Sequence, residues 1–455
     1  MLERKVYSQL LDWKNREHKC LLLYGQRQIG KTFIVERFAE KEYEHFVEFN
    51  LARDAEARSV FVGDQGVDRI LSRISVLYPE TVFEPGKTLI FLDEIQDCDV
   101  AYASLKSFNE DGRFDVIASG SLMGVKNPRL KGQVENTNTL VPMGSVENLQ
   151  MFGLDFEEYL WARKVSKQII EEVKHCIREK VPLDAVILAK MNEYFREFMI
   201  VGGMPRVVSA FVNTGKFSSV KSELSDLRLE CLRDINRYNK GVDIVKTTDC
   251  FESIPEHLAQ SNKKFIYSRI DDGQSRQSAD KYMGNLLWIK AAGYGNFCNN
   301  INAPVLPMIV NKDSFKVYLS DTGMLVNMYG DNCIKAIYSG ELRYNLGAIA
   351  ENAVAEALMK SGYKPRYFSE NKGDKRMELD FVIENGDGIV VIEVKSGKDR
   401  TAPSIGKAAR FYDIPTRIIL SEGNISTSPE GIISMPLFAA CFLREMEPVW
   451  DGPEL

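Results

Sequence analysis

The segment Gly25-Gln-Arg-Gln-Ile-Gly-Lys31-Thr32 constrains this chain more than any other. It fits G-x-x-x-x-G-K-[ST], a loop whose glycines let backbone N–H groups wrap around a phosphate. Its flanks agree. Cys20–Tyr24 reads as a buried strand, and Phe33–Glu40 continues as a helix whose N-terminal end favours an anion. Lys31 is placed to reach the β- and γ-phosphates of ATP, and the Thr32 hydroxyl to ligate Mg²⁺. The candidate cradle is Gly25, Gln28, Ile29, Gly30, Lys31, Thr32 and Phe33.

Such a loop needs a second half, an apolar strand ending in an acid. Thr88-Leu-Ile-Phe-Leu-Asp93-Glu94 supplies it. In an α/β sheet the C-terminal strand tip is where ligands bind. Asp93 is expected to hold the metal through water, and Glu94 to orient and polarise the attacking water. A further strand, Phe114–Ser119, ends in Ser119-Gly-Ser121. A polar residue there can sense a γ-phosphate, and both serines are candidates. A small-molecule kinase could use the same loop, but the chain shows no separate acceptor-site motif.

The 455 residues suggest about three domains at ordinary domain sizes. A net charge of −6 argues against coating nucleic acid by bulk charge, though not against a local basic groove. No apolar run is long enough to span a membrane, and no apolar core follows Met1-Leu-Glu-Arg-Lys as a secretory signal would require. The eight cysteines are scattered without a C-x-x-C pair, so reduced thiols in a cytoplasmic protein are expected. Pattern divides the chain into an α/β region at 1–165, a helical region at 166–245, helices with a hairpin-like pair at 246–330, and a second α/β region at 335–455. Within the third region, Ser275–Ala292 reads as a helix burying Tyr282, Leu286, Leu287 and Ile289. Arg276, Lys281 and Lys290 could meet phosphates from it. Nine Lys and Arg against eight Asp and Glu over 246–330 make no basic stripe.

The C-terminal region carries a second cluster. Asn385-Gly386 marks a hairpin between Glu378–Ile383 and Ile389–Lys395. Period two puts Glu393 and Lys395 on one strand face, and Asp380 on the facing strand can approach Glu393. Two carboxylates can share a divalent metal while Lys395 orients a water. Glu351 lies on the nearly all-apolar helix Leu346–Met359, so its charge needs a partner, and a metal would be one. Glu356 is read as facing solvent. The metal candidates are thus Thr32 and Asp93 in one site, and Glu351, Asp380 and Glu393 in the other. The catalytic candidates are Lys31, Glu94, Asp380, Glu393 and Lys395.

These blocks resemble a known group. G-Q-R-Q-I-G-K-T, Phe91–Gln96 (F-L-D-E-I-Q) and A-S-G-S are similar to the AAA-type P-loop ATPases of bacteria and archaea that carry a C-terminal domain of unknown function. Phe156-Glu-Glu-Tyr159, Gly202-Gly-Met-Pro205 and Phe315–Leu325 resemble further segments of that group. The resemblance implies ATP hydrolysis, an AAA-type core at 1–165, a helical lid at 166–245 and a winged helix at 246–330. It also places a restriction-endonuclease-like α/β domain at 335–455, because Asp380 with Glu393-Val-Lys395 resembles the PD-(D/E)xK pattern. Leu379 stands where that pattern usually has Pro. Gly132-Gln133 stands where many members have Gly-Arg, which leaves Arg129 and Arg206 as arginine-finger candidates. The expected partners are ATP and ADP, with DNA and further copies of the chain as additional candidates, and no membrane. Two functions stay open: metal-assisted phosphodiester hydrolysis under ATP control, or an ATP-switched binding protein with a silent nuclease-like domain.

Overall fold

The computed structural model describes residues 2–121, 144–270, 279–340, 346–370, 373, 376–386, 388–397 and 401–448. They form two compact units. One comprises Arg4–Gly153 with Ala291–Gly293, and the other the remaining residues.

The first unit is a parallel sheet between helices. Its strands are β1 (Cys20–Gly25), β2 (His45–Asn50), β3 (Thr88–Asp93), β4 (Asp115–Ser121) and β5 (Val146–Met151), in the order β2-β3-β4-β1-β5. All four pairings are parallel. Interior strand β3 is buried at every residue, as its unbroken apolar run requires when helices cover both faces. Edge strand β2 alternates, burying Val47 and Phe49. One face packs Leu22, Ile90 and Leu92 against Ile70 and Ile74 of helix Val67–Leu77 and Leu105 and Phe108 of helix Asp99–Asp111. Because β4 lies between β1 and β3, the tips of these three strands lie side by side, and the P-loop leaves from β1.

The second unit begins with helices and ends in an eight-stranded mixed sheet. Its strands are β6 (Gly295–Ile301), β7 (Val310–Leu319), β8 (Arg366–Glu370), β9 (Met377–Asn385), β10 (Gly388–Val394), β11 (Thr416–Ser421), β12 (Ser426–Thr427) and β13 (Ile432–Pro436). They run in the order β12-β13-β11-β10-β9-β8-β6-β7. The expected hairpin at Asn385 is present as the antiparallel β9/β10 pair.

Three sequence expectations change here. Phe156 lies in the second unit, where its ring meets Phe195, Phe198, Phe438 and Phe442, so the first unit ends before residue 165. Antiparallel β6/β7 does follow helices Val242–Glu252, Ile254–Leu258 and Ala279–Ala292. However, β6 also pairs with β8 at Asn299↔Arg366 and Asn300↔Tyr367, so the sheet crosses the expected 330/335 boundary. On helix Ala279–Ala292, Leu287 is 46% exposed and Trp288 is buried instead. The pattern counted Leu287 with its apolar neighbours although it falls on the opposite side of the helical turn. Arg276 and Arg129 lie outside the described residues.

Two glycine motifs interlock in the second unit. Asp321 accepts Gly203 N–H at 2.7 Å and Met324 N–H at 2.9 Å. Gly202 has φ 75°, and a Cβ there would meet the Asp321 carboxylate at 2.2 Å. A Cβ on Gly323 would meet Gly202 N at 2.7 Å. The G-G-M-P turn and the D-T-G segment are thus one buried joint, which explains their small residues. None of the eight cysteines is in a disulfide, and no helix of the described residues is long and apolar enough to cross a membrane. Asp321→Ala strips two buried N–H groups of their acceptor and should cost about 2–4 kcal/mol in urea unfolding. Burial first, and then Glu356, raises the Asp321 pKa from 3.8 to about 6. A pKa raised by folding contributes stability that is full below the unfolded value and lost as pH rises through the folded one. Wild type should therefore gain stability relative to Asp321→Asn as pH falls from about 7 to about 5.

Candidate functional site

The P-loop connects β1 to helix Lys31–Glu42. A Cβ on Gly25 would lie 2.2 Å from Met151 O, and Gly30 holds φ 88°, so both glycines are sterically required. Gln28, at φ 64°, extends the left-handed turn with a non-glycine residue. Ile29 is fully buried, and Phe33 is 49% exposed one residue after Thr32. Lys31 is buried and donates to Gly25 O at 3.2 Å and Gln26 O at 2.9 Å. Burial lowers its pKa, and the nearby Glu94 and Asp93 charges oppose that shift.

Asp93 is the hub. Its carboxylate accepts Thr32 Oγ1 at 3.3 and 3.2 Å and Asn50 Nδ2 at 2.9 Å. It also accepts the Ser119 hydroxyl. Donors from the P-loop helix, β2 and β4 thus meet one buried acid on β3. Of the two candidate sensor serines, Ser119 makes this contact, whereas the backbone N–H of Ser121 donates to Gln96 Oε1 at 3.2 Å. Glu94 follows Asp93 with φ 54°, and its carboxylate accepts from the Gln96 amide. Thr32 and Asp93 fit a Mg²⁺ ion: a hydroxyl and a carboxylate face one another at the strand tips beside a phosphate-binding loop. Asn50 and Gln96 were not foreseen. Asn50 pairs laterally with Asp93 across the β2/β3 register, a relation no local motif encodes.

The second site lies in the other unit. Asp380 Oδ2 accepts Val394 N–H at 2.9 Å, and Lys395 Nζ donates to Glu393 Oε1 at 2.9 Å. Glu393 Oε2 is buried without a hydrogen-bond partner. Burial first, then Glu351 and Glu393, raises the Asp380 pKa well above the ordinary carboxylate value. Burial also raises that of Glu393, opposed by Lys395. Crowded carboxylates with one orphaned oxygen fit a divalent cation held by Asp380 and Glu393.

Glu351 is otherwise occupied. Lys263 Nζ lies 2.5 Å from its Oε1, while Lys316 Nζ at 3.8 Å and the Tyr318 hydroxyl at 3.2 Å approach Oε2. Lys316 is only 1% exposed and also pairs with Glu378 at 3.0 Å. Burial would lower the Lys316 pKa, but Glu351, Asp380 and Glu378 together raise it, so the group stays an ammonium. The partner that Glu351 needs is therefore lysine, and the expected metal trio is not closed. Among the described residues, the one group of three whose ligand atoms lie within 4.8 Å of one another is Glu44, His45 and Glu84 on the other unit. There Lys87 already pairs with both glutamates, at 3.2 and 3.0 Å.

Glu356 is buried rather than solvated. It accepts Thr322 N–H at 2.8 Å and pairs with Lys360 at 2.5 Å. Arg206 is held by Glu223, Asp226 and Glu230. Lys281 lies over the Tyr282 ring, and Lys290 over Phe297.

Three family matches cover most of the chain. Residues 17–160 match the AAA domain, 192–333 a domain of unknown function (DUF8612), and 346–438 another (DUF4143). Among solved structures, the Walker-type ATPase PABY2304 of Pyrococcus abyssi aligns at 13% identity over 72% of this chain and 96% of its own, with a TM-score of 0.42. The Thermotoga maritima RuvB Holliday junction branch migration motor aligns at 14% over 69% and 93%, with a TM-score of 0.28. No curated protein matches.

Replacing Lys316 by Met would remove the buried ammonium that Glu351 and Glu378 share, leaving Lys263 alone to offset Glu351. A loss of roughly 3–5 kcal/mol is expected in chemical denaturation.

Proposed function

Since this chain is an AAA-type P-loop ATPase with C-terminal domains of unknown function, we propose that it hydrolyses ATP with Mg²⁺ and uses that cycle to govern a nuclease-like domain acting on or binding nucleic acid. The convergence of Thr32, Asn50 and Ser119 on Asp93 carries the ATPase half. Lys31 exchanges its two loop carbonyls for the β- and γ-phosphates. Thr32 and Asp93 hold the Mg²⁺, which supplies charge neutralisation on the phosphates. Glu94, turned by its left-handed backbone, orients a water toward the γ-phosphate and takes its proton. Arg206, already bound by three carboxylates, is a weaker arginine-finger candidate than the motif suggested.

In the C-terminal half, Asp380 and Glu393 hold a divalent cation that supplies Lewis acidity, and Lys395 orients a water beside Glu393. A second reading, a binding domain that does not cleave, is favoured by Lys263 and Lys316, whose charges offset much of the acid cluster without a metal. The test measures ATP turnover with plasmid and single-stranded DNA present, together with DNA cleavage in Mg²⁺ and Mn²⁺. Glu94→Gln should lower kcat by about 10²–10⁴-fold with ATP still bound, and Lys31→Ala should lose nucleotide binding. Cleavage lost in Asp380→Ala supports the nuclease. ATP hydrolysis without cleavage in any condition supports the binding reading.

A further inference from the structure

Gln96 stands between two groups that the ATPase reading uses for different tasks. It is buried, one turn past the β3 tip. Its Oε1 accepts the backbone N–H of Ser121 at 3.2 Å, and its amide donates to the Glu94 carboxylate. The orientation of the carboxamide is not free. A backbone N–H can meet only the oxygen and a carboxylate only the NH₂ group, so both neighbours fix the same flip. Glu94 in turn holds φ 54°, a left-handed conformation that is unfavourable for a non-glycine residue and persists where the surroundings enforce it. The Gln96 amide is one such enforcer. At its other end, Ser121 closes β4, the strand whose Ser119 hydroxyl bonds to Asp93.

We infer that Gln96 is a positioning residue that sets the Glu94 carboxylate and couples it to the end of β4. A shift of β4 on contact with the γ-phosphate then reaches Glu94 through one rigid side chain, so hydrolysis responds to what the serine-bearing strand end senses. In this role Gln96 acts through Glu94. The inference rests on the ATPase reading. Wild-type turnover and its loss in Lys31→Ala test that reading, and only the Gln96 variants test this one.

The experiment is a double-mutant cycle on the full chain. Gln96→Met keeps the volume and removes both hydrogen bonds, and Gln96→Ala is the second variant. Steady-state ATP hydrolysis gives kcat and KM, a fluorescent ATP analogue gives Kd, and a thermal melt reports folding. Expected is a kcat lowered about 10- to 100-fold with KM and Kd within about twofold of wild type, because only the positioning of the base is lost. In a Glu94→Gln background the Gln96 substitution should add less than about twofold, because its effect runs through Glu94. Losses that multiply in the double variant would overturn the inference. So would an unchanged kcat, or a fall in affinity that accounts for the whole defect.

Discussion

A carboxylate taken out of water must find donors or a counter-charge, and this constraint organises both units. Asp93 draws a hydroxyl from the P-loop helix, an amide from β2 and a hydroxyl from β4 onto one strand tip. In the second unit, Glu351 gathers two lysines and a tyrosine, Glu356 a threonine and Lys360, and Asp321 two backbone N–H groups. An unmet buried acid costs several kcal/mol, so each of these positions fixes the placement of elements far apart in the chain.

The two clusters use that constraint differently. Around Asp93 the partners are neutral donors, which leave the negative charge in place for a cation and a phosphate-binding lysine. Around Glu351 the partners are ammonium groups, which cancel it. Glu393 keeps an orphaned buried oxygen there. The first arrangement is poised for an exchangeable ligand. The second is already largely satisfied by the protein, with Asp380 and Glu393 lying beside it under raised pKa values.

Legibility in the sequence followed locality. Lys31, Thr32, Asp93 and Glu94 could be read because each sits within a few residues of a strand end that the apolar run marks. The Asp380, Glu393 and Lys395 relation could be read because one tight hairpin sets its register. Lys263, Lys316 and Asn50 could not, since each reaches its acid from another strand or loop. Glu356 was misread because, on a helix that is apolar on nearly every side, periodicity leaves no polar face to assign. The joint of Gly202 and Gly203 with Asp321 was visible only as two separate motifs. Their meeting across 118 residues, from Gly203 N–H to the Asp321 carboxylate, is a property of packing.

The β6/β7 hairpin carries a consequence for inheritance. It belongs by sequence to the region matched over 192–333, yet it ends the sheet of the region matched over 346–438 and delivers Lys316 to Glu351 there. Two segments that share a sheet edge and a buried ion pair cannot be exchanged independently between chains. A recombination falling near residue 340 would bring together a hairpin lacking its acid and a helix lacking its base. The pair is therefore a single structural module, in which a change of charge at Lys316 is felt at Glu351.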